Sequence, residues 1–273
     1  MISRLFIAVS TLPGMKKLLW RGLYGYLAEL GHADGWSFMN YGFAKAEGDG
    51  IPLAPTDETN RHWIQLYDHV VDSLDLAGKD VLEVGCGRGG GASFIKRYRR
   101  PKHIVGLDLS ANAVALCRKT HSMDGLEFRV GDAEKLPFGD NSIDVVVNVE
   151  SSHCYPSFAT FIAEVRRVLR PGGHFFYADF RNIDSVPAWR EDMRSSGLTL
   201  VRENDITTNV LLALDRDNER KETLIQSFVP KVFRPSFSDF AGMRGSAVYE
   251  GFRSGNLVYR SFVLRKVEQM DMQ

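Results

Sequence analysis

The sequence predicts an α/β fold with a doubly wound, mostly parallel sheet and helices on both of its faces. Three observations carry that expectation. Strand and helix signals alternate from residue 80 to residue 206, the pattern of parallel strands joined by helical crossovers. The apolar strand Val81–Val84 runs straight into five glycines between Gly85 and Gly91. Ile143–Val149 is apolar almost throughout, as a strand covered on both faces must be.

In chain order, the apolar residues Met15, Leu18, Leu19, Leu23, Tyr26, Leu27 and Leu30 recur at helical spacing. They predict an amphipathic helix over 12–30, weakened by Gly14, Gly22 and Gly25. It either covers the core or lies on a membrane surface, its leucine face flanked by Lys16 and Lys17. A glycine-rich linker at 48–55 precedes a helix over 58–74, with Thr56 or Asp57 as its cap. The core then reads as strands at 80–84, 103–108, 126–130, 143–149 and 174–179, with helices at 90–99, 111–120 and 157–169. The sequence Arg170-Pro-Gly-Gly173 ends the last of these helices. Beyond Pro187 come a helix to 196, a strand over 198–206, helical stretches at 208–228 and 236–252, and a closing strand at 256–266. That makes seven strands.

Lysine plus arginine and aspartate plus glutamate each total 34, so no net positive field draws a nucleic-acid backbone. Three cysteines, Cys86, Cys117 and Cys154, form neither a disulfide framework nor a metal-ligand spacing, which suits a reducing cytoplasm. The first dozen residues are a short apolar run without a small-residue cleavage site, and no run approaches the roughly 18 apolar residues of a spanning helix.

Gly85, Gly87 and Gly90 meet the GxGxxG spacing that lets backbone approach a nucleotide, a weak signal alone because it fixes three positions in a chain with 25 glycines. Glu83 sharpens it. A carboxylate at that strand end repels a pyrophosphate and favours a ligand with an ammonium group. Asp108 ends the second strand, where a bidentate carboxylate holds a ribose diol. Asp132 follows the third strand, placed to accept from an adenine amino group.

These motifs, in this order over residues 78–180, resemble the class I S-adenosylmethionine-dependent methyltransferases. The resemblance implies a Rossmann-like sheet whose last strand is antiparallel. It also implies S-adenosyl-L-methionine as cofactor, with Glu83, Gly85 and Gly87 at the methionine part, Asp108 at the ribose, and Asp132 with Ala133 at the adenine. Cys86, Leu109 and Asn148 join this set. Tyr41, in the turn Asn40-Tyr41-Gly42, is similar to the aromatic-glycine entry that covers the methyl donor in related enzymes.

At the end of the fourth strand, Asn148-Val-Glu-Ser-Ser-His153 supplies a base, and Tyr177-Ala-Asp179 ends the neighbouring strand in a carboxylate. Sugar-modifying O-methyltransferases carry a similar pairing, which makes His153 the general base and Asp179 its partner. At finer grain the chain resembles the mycobacterial phthiotriol and phenolphthiotriol dimycocerosate methyltransferase group with its fatty-acid O-methylating relatives. The residues that carry it are Asn60-Arg61, Gly89–Ser93, Asn148–Pro156, Arg170–Asp179 and Leu257–Arg260. It implies a hydroxyl, or alternatively a carboxyl, on a hydrophobic lipid or polyketide-like acceptor. It also implies a cover segment at 1–56 and a catalytic domain at 57–273, with a helical substrate cover at 207–253 inside that domain. Aromatic residues crowd both covers: Trp20, Tyr24, Tyr26, Trp36, Phe38, Tyr41 and Phe43 in one, Phe228, Phe233, Phe237 and Phe240 in the other. Two other classes compete, an NAD-dependent dehydrogenase and a non-catalytic lipid-binding relative.

Overall fold

The computed structural model describes residues 37–48, 50–231 and 234–267. The amphipathic segment at 12–30 and the aromatic residues Trp20, Tyr24, Tyr26, Trp36 and Phe233 lie outside them. Seven strands form one sheet among the described residues, in the order β3-β2-β1-β4-β5-β7-β6. They are β1 (Asp80–Val84), β2 (His103–Asp108), β3 (Leu126–Val130), β4 (Ile143–Val149), β5 (Leu169–Asn182), β6 (Thr199–Asp205) and β7 (Leu257–Arg265). β1 to β5 pair in parallel, and β7 slots antiparallel between β5 and β6, as expected of the last strand.

Side-chain alternation divides the core between the two faces. Val81, Val145, Val147 and Phe176 pack on one face with Trp63, Tyr67 and Phe94. Their neighbours Leu82, Val146, Phe175 and Tyr177 pack on the other with Phe161, Trp189 and Phe262. Both faces are therefore apolar, and helices cover both. α1 (Arg61–Val71) and α2 (Gly90–Phe94) lie on the first face. α4 (Phe158–Val168) and α5 (Val186–Ser195) lie on the second. α4 shows why such a segment becomes a helix. Ser157 caps it by accepting the Thr160 amide at 3.1 Å, and Phe161, Ile162, Val165 and Val168 form one buried stripe.

The helix expected over 58–74 begins later. Residues 55–60 make a 3-10 turn, and neither Thr56 nor Asp57 caps α1. Asp57 is committed elsewhere, accepting from Arg97 and from the Tyr98 hydroxyl at 2.6 Å. The helix after the glycines also splits, continuing past α2 as a π-helical turn over Ile95–Arg99. Its basic run is paired: Arg97 with Asp57 and Arg99 with Asp68.

Helix α3 (Ala111–Thr120) follows β2. Three helices, α6 (Thr207–Phe228), α7 (Arg234–Phe240) and α8 (Ala247–Ser254), come between β6 and β7. α6 is tied to the segment ahead of α1, since the Asn209 side chain donates to the Ala44 carbonyl at 2.9 Å and the Ala44 amide to Asn209 O at 3.1 Å. Its buried stripe, Val210, Ala213, Leu214, Asp217 and Lys221, faces inward. No helix among the described residues is long and apolar enough to cross a membrane.

Candidate active site

The carboxyl ends of β3, β2, β1 and β4 open into one cavity of about 1200 Å³, its mouth included. Each strand contributes its end: Asp132 and Ala133 after β3, Asp108 and Leu109 after β2, Gly85 to Gly87 after β1, Glu150 and Ser151 after β4. Strands lie about 4.8 Å apart, so four ends span about 14 Å, the length of a nucleoside joined to an amino acid. Residues Ser37 to Asn40 close over the top.

Gly85 has φ +73°, and a Cβ there would stand 2.3 Å from Ser151 Oγ and 2.8 Å from Tyr155 Oη. Only glycine combines that backbone with that crowding. Beneath the loop, Asn148 Nδ2 donates to Val84 O at 2.9 Å and to Ser151 Oγ at 2.7 Å, which fixes the cavity floor. Asp108 accepts the amides of Gly87 and Ser110, each at 2.9 Å, so the loop after β1 is fastened to the end of β2. The Leu109 amide also reaches this carboxylate, which leaves it one acceptor site for a ligand hydroxyl. Asp132 accepts the Glu134 amide at 3.1 Å in a tight turn that presents Ala133 to the cavity.

Seven of the twelve residues singled out from sequence line this cavity: Gly85, Cys86, Gly87, Asp108, Leu109, Asp132 and Ala133. Glu83, Asn148, Tyr41, His153 and Asp179 stand around it. Glu83 is fully buried behind the loop, where its Oε1 accepts the Tyr67 hydroxyl at 2.7 Å. Burial pushes its carboxyl up to about 7. Tyr41 donates its amide to Glu150 Oε1 at 2.7 Å, while its ring packs on Phe180 and Phe252 with centroids 5.5 and 5.7 Å away.

His153 and Asp179 do meet. The imidazole Nδ1–H donates to Asp179 Oδ1 at 2.8 Å, and the His153 amide donates to Oδ2 at 3.0 Å. Burial opposes a charge on the imidazole, but Cys154 and Asp179 outweigh it and push the ring up to about 10. Asp179 is wholly buried and accepts further from Ser152 Oγ at 2.6 Å and the Phe180 amide at 2.9 Å. Arg181 pairs with it at 3.2 Å and lies over the Trp189 ring at 4.7 Å. Burial pushes the Asp179 carboxyl up, but Arg181, His153 and Ser152 outweigh it and hold the group well below its usual range. The exposed part of His153 borders an aromatic wall, its ring 4.5 Å from Phe180, which in turn meets Phe252 and Tyr259.

Sequence reasoning passed over Glu150, Ser151, Tyr155 and Arg181. Glu150 carried the same signal as Asp108, an acid directly after an apolar strand. Arg181 had none, because its role depends on β5 continuing to Asn182. Phe38 borders the cavity while packing on Trp63 and Tyr67, and Phe43 is core, stacked on His69.

Residues 82–177 match the family model described as a methyltransferase domain. The chain is 38% identical over 261 residues to the phthiotriol/phenolphthiotriol dimycocerosates methyltransferase of Mycobacterium leprae, covering 96% of this chain and 97% of that protein. It is 39% identical over 244 residues to the fatty-acid O-methyltransferase of Mycolicibacterium smegmatis, covering 89% and 88%. Among solved structures, the fold matches a putative sarcosine dimethylglycine methyltransferase from Galdieria sulphuraria with TM-score 0.72, at 17% identity over 90% of this chain and 99% of that one. It also matches geranyl diphosphate C-methyltransferase from Streptomyces coelicolor, solved with S-adenosyl-L-homocysteine, with TM-score 0.66, at 19% identity over 94% and 99%.

The residues present suit S-adenosyl-L-methionine as the cofactor. The loop at Gly85 and Gly87 lets a ligand approach backbone closely, Asp108 keeps an acceptor site beyond its three backbone donors, and the buried oxygens Glu83 Oε2 and Asn148 Oδ1 have no hydrogen-bond partner among the described residues. Similarity that runs along nearly the whole chain, on this sheet and around this cavity, places the protein in the family of S-adenosylmethionine-dependent methyltransferases to which the phthiotriol and fatty-acid enzymes belong.

Proposed function

We propose that this methyltransferase O-methylates a hydroxyl group on a hydrophobic small molecule, a lipid or polyketide-like compound, with His153 as general base and Asp179 as its partner. The observation that carries this reading is the 2.8 Å bond between His153 Nδ1 and a buried Asp179, beside the aromatic wall of Phe180, Phe252 and Tyr259. The relatives' names support the acceptor class, since one acts on phthiotriols and another on fatty acids. In this reading Asp132 and Ala133 hold the adenine, Asp108 the ribose, and Gly85, Cys86, Gly87 and Leu109 the methionine part. Glu83 and Asn148 support that loop from behind, and Tyr41 covers the methyl donor. Residues 1–56 serve as a lid on the domain at 57–273, and α6 to α8 as its substrate cover.

The cofactor supplies a methyl group on a positively charged sulfur, so the protein's own task is alignment, dryness and proton removal. Asp179 accepts a hydrogen bond from Nδ1–H and so holds the tautomer in which Nε2 would take the acceptor's hydroxyl proton, with Cys154 also beside the ring. With the ring pushed up to about 10, the neutral base is the minor form at neutral pH. Turnover then rises about tenfold per pH unit towards that value. Replacing His153 with Ala is expected to lower kcat by roughly 10²- to 10⁴-fold and to flatten the pH profile.

The same raised imidazole favours a second reading. As a cation at neutral pH, His153 suits a carboxylate acceptor, which needs no base. Under that reading His153→Ala raises KM and leaves kcat nearly intact, and wild-type activity falls as pH rises through about 10. Steady-state kinetics of both proteins across pH, with a long-chain alcohol and a fatty acid as acceptors, separate the two. Unchanged kcat and KM in the variant sink both.

A further inference from the structure

Glu150 lines the cavity and accepts the amide of Tyr41, whose ring packs on Phe180 and Phe252 of the aromatic wall. It sits directly after β4, at the opposite end of the four strand ends from Asp132. With adenine at Asp132 and ribose at Asp108, the far end of a donor about 14 Å long, where the charged sulfur and methyl lie, falls beside β1 and β4. Glu150 takes φ +47°, a left-handed backbone that glutamate adopts at a cost. The strain is held by its amide donating to Ala178 O at 2.9 Å and by the Tyr41 amide donating to Oε1 at 2.7 Å. Neither bond concerns the second carboxyl oxygen.

We propose that Glu150 reads the charge of the donor: it ionises against the positively charged S-adenosylmethionine and takes up a proton once the neutral S-adenosylhomocysteine remains. It is thus a specificity residue that favours substrate over product. The inference rests on the donor orientation of the proposed function. The protonation balances simply. Glu150 gives one proton to solvent when the cation binds and takes one back after the methyl has moved to the acceptor.

The surroundings support this. Burial pushes the Glu150 carboxyl up to about 8, so the free protein holds it largely protonated at neutral pH. The groups whose fields reach it come from every side: Tyr41 ahead of α1, Tyr67 on α1, His153 after β4, Asp179 on β5, Lys221 on α6 and Tyr259 on β7. The Lys221 amine is itself buried and lowered to about 8 by that burial, donating to Ala241 O at 3.2 Å. The Tyr259 hydroxyl, also buried, lies beside the Glu150 carboxyl and works against the upward push of burial.

Titration calorimetry of the intact protein tests it, with S-adenosylmethionine and S-adenosylhomocysteine as ligands from pH 6.5 to 9. Their ratio of affinities cancels every titration the two ligands share. In wild type the ratio is expected to rise about tenfold from pH 6.5 to 7.5 and to level near pH 8, with close to one proton released per donor at pH 7. Glu150→Gln keeps an oxygen for the Tyr41 amide and is expected to give a ratio that does not vary with pH. A flat ratio and no proton release in wild type overturn the proposal, and that measurement stands even where the variant fails to fold. Loss of the pH dependence in Glu83→Gln instead of Glu150→Gln overturns the assignment to Glu150. Should Asp108→Ala and Asp132→Ala bind both ligands as wild type does, the donor orientation fails, which is a different result.

Discussion

Gly85 compresses the cofactor loop's chemistry into one missing methyl group. Its φ of +73° and the 2.3 Å from a would-be Cβ to Ser151 Oγ leave no room for alanine unless the Asn148, Ser151 and Tyr155 network shifts. Gly85→Ala is expected to weaken donor binding at least about tenfold, or about 1.4 kcal/mol, in calorimetry while leaving the far-ultraviolet circular dichroism unchanged. Residues of this kind are visible in a sequence because the motif's spacing is local. Asp108 and Asp132 share that property, each standing at or just past the end of its strand. His153 and Asp179 pair in the sequence through strand-end logic, and a separation of 26 positions closes to one hydrogen bond. The fields that decide their protonation are not legible there, because Arg181 and Cys154 act through space.

At the level of elements, β1 to β4, β6 and β7 lie close to their expected positions, buried parallel strands being nearly continuous apolar runs. β5 instead runs from Leu169 to Asn182 and takes in the Arg170-Pro-Gly-Gly173 expected to end a helix. The ends of helices are harder. Asp57 looks like a cap in sequence but serves Arg97 and Tyr98, partners 40 and 41 residues away. Ser157, by contrast, caps α4 with its own side chain at 3.1 Å from the Thr160 amide. Ser157→Ala is expected to cost about 1 kcal/mol in a urea unfolding curve, with the slope unchanged. Tyr155 and Pro156, both on the cavity wall, lie directly ahead of this cap, so fraying there is expected to reach the cavity.

Over the whole molecule, buried ionisable groups give stability a direction in pH. Glu83 is raised to about 7 and Glu150 to about 8, both above their unfolded values, so the folded state binds protons that the unfolded chain does not. Their contribution is fully present below about pH 4.5 and is lost as pH rises through 7 and 8. His153 adds a second loss as pH approaches about 10, having been raised from 6.5. Asp179, depressed, contributes above its unfolded value and loses that contribution only in strong acid. His62, His69, His121 and His174, depressed by burial, oppose this below about 6.5, and Lys221, lowered to about 8, opposes it above that value. Thermal melts of the ligand-free protein should therefore fall from about pH 7 to about 8, and saturating S-adenosylmethionine should raise the melting temperature more at the upper end of that range. A melting temperature that climbs over that range would contradict the assignment.

The placement of β7 bears on how the protein is made. β6 pairs with β7 and with no other strand among those described, yet β7 follows it in the chain only after three helices. A nascent chain that has reached residue 256 already carries every residue lining the donor cavity, while β5 has a bare edge and β6 has no sheet to join. β7 is therefore the strand through which β6, and the three helices that link the two, are joined to the sheet.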